Sequence, residues 1–306
     1  MERRTFLKDA AALAAAALPL GARGAMKPYD PKARLEIKVF EVPFRVNAKG
    51  RQLMARVYQP AGAGPFPTLL DLHGGAWNRK DRTANEPMDR AIAASGVLVV
   101  AIDLTIAPEM PYPASVQDAS YGVRWVKAKA REWNGDASQL GVLGSSSGGH
   151  IAELIAMRPN DARYNAIALE GAATDTSVAY VATRSPISNT YARYENAEKR
   201  KRQSMIKNNK TYFQPWEAIH EANPQEILER KEKVVLRPLL IMQGELDDNV
   251  LPPVQKKFAE TYRAAGGDCQ FHVFAGCEHE WVAKPGPQTD AAHEMVKAFI
   301  ARNLAR

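Results

Sequence analysis

Two cysteines in 306 residues, Cys269 and Cys277, leave the chain without a disulfide framework. The segment between them, Gln270 to Ala275, reads as a strand, and about eight extended residues span roughly 26 Å, beyond disulfide reach. Both are therefore expected as free thiols. Charge of neither sign dominates: 41 Lys and Arg face 34 Asp and Glu for a net +7, with no basic stripe of the kind a nucleic-acid surface needs. No His/Cys/Asp cluster has metal-ligand spacing, so neither a metal nor another cofactor is expected. Internal repeats and low-complexity arrays are missing beyond an alanine-rich N-terminus. What remains, at 45% hydrophobic residues, is enough to bury one large α/β core or two small ones.

The chain is organised around Gly144-Ser145-Ser146-Ser147-Gly148-Gly149-His150. The run Leu140 to Leu143 leads into it, and Ile151 to Met157 continues from it with helical spacing. Strand, sharp turn and helix are the setting of the G-x-S-x-G nucleophile elbow, where strand and helix backbones close on each other and the flanking positions have no room for side chains. Of the three serines only Ser146 has glycine two residues before and two after, which makes it the candidate nucleophile. The plainer reading is a Gly/Ser loop or a phosphate-binding helix start, but no Lys follows the glycines as a P-loop requires.

Residues 1–25 read differently from the rest. Arg3-Arg4-Thr5-Phe6-Leu7-Lys8 precedes an apolar run, Ala10 to Leu20, too short to span a bilayer, and a small-residue exit follows at Gly21 to Ala25. The paired arginines resemble a twin-arginine export motif, which implies the twin-arginine machinery as a partner and a periplasmic destination. The alternative is a helical arm that stays in the cytosol. Cleavage would remove four basic and two acidic side chains and lower the formal charge from +7 to +5.

Downstream, Arg34 to Val46 and Gln52 to Tyr58 alternate as an antiparallel edge pair. Thr68 to Leu72 is a buried strand opening into His73-Gly74-Gly75-Ala76-Trp77. Val97 to Leu104 is an apolar strand between the helical segments Glu86 to Ser95 and Ser115 to Trp133, where Asp118 reads as a helix-start carboxylate. Ala166 to Leu169 is expected as the next strand. Periodicity then fails from about 175 to 222, a stretch too long for an ordinary connection and expected as an inserted cap. Its aromatics form either a small core or substrate contacts, and Lys199-Arg200-Lys201-Arg202 reads as a solvated helix face. Pro238 to Gln243 and Gln270 to Phe274 are the last strands, and Asp290 to Leu304 is a closing helix. Strands alternating with helices at these lengths indicate a parallel sheet covered on both faces.

A serine hydroxyl needs an imidazole to take its proton, and the imidazole needs a carboxylate to hold its tautomer. The chain offers Ser146, then acids after a late strand, then His279 in Cys277-Glu278-His279-Glu280-Trp281 after the last strand. With His-Gly-Gly-x-Trp and this order, the chain from about Arg34 onward resembles an esterase of the α/β-hydrolase superfamily, near the feruloyl and acetyl esterase-like families and relatives of the hormone-sensitive lipases. Ala107-Pro108-Glu109 with Tyr112-Pro113-Ala114 adds to the likeness. The resemblance implies the α/β-hydrolase fold: a mostly parallel eight-stranded sheet, helices on both faces and an inserted cap, within residues 26–306.

It further implies that Asp247, in Gly244-Glu245-Leu246-Asp247-Asp248-Asn249-Val250, is the acid, with Asp248 and Glu245 as fallbacks. His279 is then the base, and the N–H groups of Gly75, Ala76 and Ser147 form the oxyanion hole. His73 and His150 belong to the flanking motifs as structural residues; His220, His272 and His293 are ordinary side chains. Trp77 and Trp281 flank the expected site and either wall its pocket or pack the core. The expected reaction is hydrolysis of a small-molecule ester, aromatic or anionic rather than a long-chain lipid, through an acyl-enzyme. A formamide hydrolase of the kynurenine formamidase type and a non-catalytic binding module of the same fold are the alternatives.

Overall fold

The computed structural model describes residues 28–171 and 175–305. The expected export signal, residues 1–25, lies outside them. A single eight-stranded sheet runs through the molecule in the order β1-β2-β4-β3-β5-β6-β7-β8, with β1 Ile37–Val46, β2 Gln52–Pro60, β3 Phe66–Leu72, β4 Leu98–Ile102, β5 Gly135–Ser145, β6 Tyr180–Arg184, β7 Leu239–Gly244 and β8 Cys269–Phe274. The β1–β2 and β2–β4 pairs are antiparallel; every pair from β4 to β8 is parallel. This is the α/β-hydrolase fold.

The burial pattern follows from that layering. Every residue of β4, β6 and β7 is buried, as expected for parallel strands covered on both faces. On one face lie α1 (Glu86–Ala94) and α9 (Pro287–Leu304), which bury Met88, Ile92 and Ala93 and, from α9, Ala292, Val296, Phe299 and Ile300. On the other lie α2 (Ala114–Lys129), α3 (Ser147–Met157) and α8 (Pro252–Ala264) around Val123, Leu154 and Phe258. Truncating one of these, Ile92→Ala for example, is worth about 2–5 kcal/mol. Helix α3 is buried along its whole length, because further elements cover the side it turns away from the sheet.

Those covering elements form the insertion, and its limits differ from the sequence expectation. Ala166 to Leu169 is not a strand. The strand after α3 is β6, inside the stretch read as cap, so the insertion runs from 185 to 238 and carries α4 (Thr190–Lys199), α5 (Gln203–Tyr212), α6 (Ala218–Glu221) and α7 (Pro224–Glu229). A run of four apolar residues cannot be told from a packed loop by pattern alone, and here the Ile167 carbonyl accepts from Arg124. β6 hides its nature behind Thr183 and Arg184, both buried polar residues with tertiary partners: Thr183 Oγ1 donates to the Leu240 carbonyl, and Arg184 Nη1 to the His279 carbonyl. Both cysteines are free and buried, near opposite ends of β8. Among the described residues, no helix is long and apolar enough to cross a membrane.

Candidate active site

The turn from β5 to α3 is set by crowding. Ser146 stands between them at φ 53° and ψ −116°, a strained conformation for a residue with a side chain. The surroundings over-determine it. A Cβ on Gly144 would lie 2.5 Å from the Gly148 carbonyl oxygen, and one on Gly148 would lie 2.0 Å from that of Leu72, so both positions exclude every larger residue. Ser146 N–H donates to the Arg184 carbonyl at 2.9 Å, extending the β5–β6 ladder one residue past the strand.

His279, in the turn after β8, meets this serine: its Nε2 is 2.9 Å from Ser146 Oγ, and its Nδ1 is 2.7 Å from Asp247 Oδ2. With Nδ1–H donating to the carboxylate, Nε2 is left to accept the serine proton. Asp247 is wholly buried and fully engaged. Its Oδ1 accepts from the N–H groups of Asn249 and Val250 at 3.0 and 2.8 Å, and its Oδ2 also accepts from Gln243 Nε2 at 3.0 Å. Burial pushes the Asp247 carboxyl up, but the His279 hydrogen bond and charge and the Val250 N–H outweigh it and hold the group below the usual carboxylate range. Burial pulls His279 below the ordinary histidine value, against the opposing pull of Asp247, so the imidazole is neutral near pH 7.

The two fallback acids serve elsewhere. Glu245 Oε2 accepts from Gly276 N–H at 2.8 Å, tying the β7 turn to the β8 turn. Asp248 is held by Arg200 and Arg202 of the insertion, so part of the run read as a solvated face clamps the insertion to the acid turn. Asp118 accepts from Arg45 and from Thr105 N–H.

The third part of the site is the loop after β3. Gly75, Ala76 and Trp77 have φ of 109°, 53° and 61°, and a Cβ on Gly75 would meet the Arg79 carbonyl oxygen at 2.0 Å, so this curl requires glycine there. The loop lies on the elbow: a Cβ on Gly74 would stand 3.3 Å from Ser146 Cβ. Ser147 opens α3, where the first N–H groups have no intrahelical carbonyl. Two buried histidines brace this part. His73 Nδ1–H donates to the Gly74 carbonyl and its Nε2 accepts from Leu104 N–H. His150 Nδ1 accepts from Trp77 Nε1–H at 3.1 Å while its Nε2–H donates to the Ala222 carbonyl at 2.7 Å. Burial pushes His150 down to about 4, so it is neutral as these partners demand.

Of the two tryptophans, Trp77 is 4% exposed and sandwiched in the core: it stacks on Tyr212 at 4.7 Å and 7°, with Phe213 edge-on. Trp281 packs against Phe274 and, with Leu246, Cys277 and His279, lines a cleft of about 750 Å³ that Ser146 does not line. Of the two roles expected for the insertion's aromatics, these contacts are packing: Tyr191, Tyr194 and Trp216 cluster together, and Tyr212 and Phe213 support the glycine loop.

Two residues of this region escaped the sequence reading. Arg184 anchors the His279 turn at 2.5 Å, and its only signal is a charged residue ending a buried strand. Arg193, on α4, is buried and lies 5.4 Å over the Trp77 ring; it had no motif to mark it.

Four strand ends of one parallel sheet thus deliver a serine, an imidazole, a carboxylate and a glycine-rich loop to one place, where α/β sheets place their sites. Known proteins match this chain in part. Carboxylesterase NlhH of Mycobacterium tuberculosis is 37% identical over 35% of the chain, and the match spans about a third (34%) of that relative's length. Esterase LipC of the same organism is 25% identical over 77% of the chain and 58% of its own length. The solved structure of esterase B from Lactobacillus rhamnosis superposes with a TM-score of 0.70 over 88% of this chain and 89% of that one, at 18% identity, a likeness of fold. The BD-FAE family profile matches residues 56–261, from β2 through the elbow to α8, and the chain belongs to the BD-FAE family.

Proposed function

We propose that this chain is a serine-dependent carboxylic ester hydrolase acting through an acyl-enzyme on small or aromatic esters. The observation that carries the reading is the hydrogen-bonded line Asp247–His279–Ser146, 2.7 and 2.9 Å, ending on a serine held at positive φ. Relatives named as carboxylesterase and esterase support the ester as substrate class.

In this reading His279 Nε2 takes the proton as Ser146 Oγ attacks the ester carbonyl carbon, and Asp247 steadies the imidazolium. The N–H groups of Gly75, Ala76 and Ser147 bind the oxyanion. Collapse of the tetrahedral intermediate breaks the bond to the alcohol oxygen, which leaves with the proton from His279. Water then attacks the acyl-enzyme with His279 again as base, and the second collapse returns the proton to Ser146 Oγ and releases the acid. We further propose that residues 1–25 direct export to the periplasm through the twin-arginine machinery; a fusion of these residues to a folded reporter that stays in the cytosol would refute this.

The test is hydrolysis of p-nitrophenyl esters from acetyl to lauryl, with a feruloyl ester and N-formylkynurenine alongside, by the protein and its Ser146→Ala variant. Turnover of short or aromatic esters that disappears in the variant is expected. Cleavage of the formamide alone would replace the ester reading, and a rate that climbs steadily to lauryl would overturn the substrate class.

A further inference from the structure

We propose that Arg193 is a specificity-determining residue that binds a carboxylate carried by the ester substrate. The inference deepens the ester-hydrolase reading and rests on it.

Arg193 is 4% exposed, on α4, the insertion helix held against the acid turn by this side chain and by Asn196. Its Nε–H donates to Asn249 Oδ1 at 2.9 Å, and Asn249 N–H in turn donates to Asp247. Its guanidinium carbon lies 5.4 Å over the ring of Trp77, which follows the glycine curl. The side chain therefore bridges the acid turn and the glycine loop, the two walls beside Ser146.

No direct ion pair balances its charge, although Asp247, beyond Asn249, attracts it. Among the described residues no carboxylate lies within ion-pair distance of Arg193, and no atom accepts from its buried Nη1. Two other buried arginines, Arg124 and Arg184, also lack an ion pair, but each spends a terminal nitrogen on a backbone carbonyl, of Ile167 and His279, and leaves only Nε without an acceptor; among the described residues Arg193 alone has a buried terminal guanidinium nitrogen unpartnered. Burying a cation without an ion-pair partner is costly, and the Trp77 face offsets that only in part. Burial holds Arg193 below the usual arginine value, at about 10, so it stays charged at neutral pH. Exposed Arg79, two residues after Trp77, and Arg202 add positive potential, though Arg202 is already occupied by Asp248.

A planar fork with free donors matches a carboxylate in shape, and one buried cation balances one negative charge. A phosphate dianion would need a second buried cation, and Arg79 is exposed.

The experiment compares two pairs of esters that differ in charge at nearly constant shape: mono-p-nitrophenyl glutarate against p-nitrophenyl pentanoate, and 4-acetoxybenzoate against its methyl ester. The two pairs place the carboxylate on the acyl and alcohol sides. The protein is expected to favour the charged member of one pair by roughly 10- to 100-fold in kcat/KM, the range of a charge-assisted hydrogen bond. Arg193→Met should collapse that ratio, mainly through KM, and Arg193→Lys should restore part of it. Calorimetric titration of glutarate, benzoate and inorganic phosphate into the protein and Arg193→Met supplies a readout independent of turnover. No preference for a charged ester, or an equal loss on both members of a pair in the variant, overturns the proposal. Phosphate binding tighter than either carboxylate overturns the ligand class. If no ester of either charge is cleaved, the hydrolase reading fails, and Arg193-dependent carboxylate binding alone decides whether the anion site stands.

Discussion

The sheet side of the site and the insertion that covers it are held by different forces. On the sheet side, Ser146 and the Asp247 turn follow β5 and β7, whose last six residues are all buried, and the His279 turn follows β8, buried at both ends, while crowding at Gly144, Gly148 and Gly244 leaves the backbone no alternative path. The insertion adds Ile187, Ile219 and Ile227 to the core shared with the sheet and, next to the site itself, is pinned by polar and aromatic contacts at a few points: Arg200 and Arg202 on Asp248, Asn196 on the Asp248 carbonyl at 3.0 Å, His150 on the Ala222 carbonyl, and Tyr212 against Trp77. Hydrophobic layers specify position because every residue contributes, whereas a handful of polar pins specify position only together. In the proposed reading the chemistry belongs to the sheet, and the choice of substrate to the insertion.

Perturbing each side separately sharpens this contrast. The largest effect belongs to the sheet: Ser146→Ala should lower kcat by about 10⁶-fold with little change in Tm, since the serine's contribution is to the transition state. A Tm fall of many degrees would show the elbow to be structural instead. Asp247→Asn should cost about 10⁴-fold. Because Asp247 raises the His279 value against burial, its loss should also move the acid limb of kcat/KM to lower pH; a limb moving upward would contradict the assigned pair.

At the boundary, Trp77→Ala should cost about 3–5 kcal/mol of stability in a denaturant titration, as a truncated aromatic in a packed site. Activity on all esters should fall with it, because the glycine loop loses its support. His150 gives a pH signature. Its folded value is near 4 against an ordinary value near 6.5, so the unfolded chain binds more protons between those pH values and stability is lost as pH falls through that window, by about 3 kcal/mol in total. His150→Gln, which can still accept from Trp77 and donate to Ala222, should flatten the Tm profile between pH 6.5 and 4; an unchanged slope would assign it to other groups. The smallest effect is on the insertion's clamp. Asp248→Ala removes half-exposed ion pairs worth at most about 1 kcal/mol, and should change selectivity among esters more than stability.

Legibility in the sequence follows the same division. Gly144, Ser146 and Gly148 could be read because the turn they make is local, and His279 because it follows the last strand. The acid was narrowed to three neighbours in one turn, and geometry separates them: Glu245 points to Gly276, Asp248 to the insertion, and Asp247 alone reaches His279. β6 was misplaced because Thr183 and Arg184 spend their polar groups on distant partners, which no local pattern reveals.

Local regularities of the chain therefore determined the layered α/β architecture, the elbow and the order of the reactive groups, since strand burial, tight turns and helix starts depend on residues close in sequence. Only the tertiary structure decided where the insertion begins, that Trp77 is packed rather than presented, and that Arg193 stands buried and unpaired between the acid turn and the glycine loop. Those properties arise from contacts between segments more than fifty residues apart, where chain proximity carries no information.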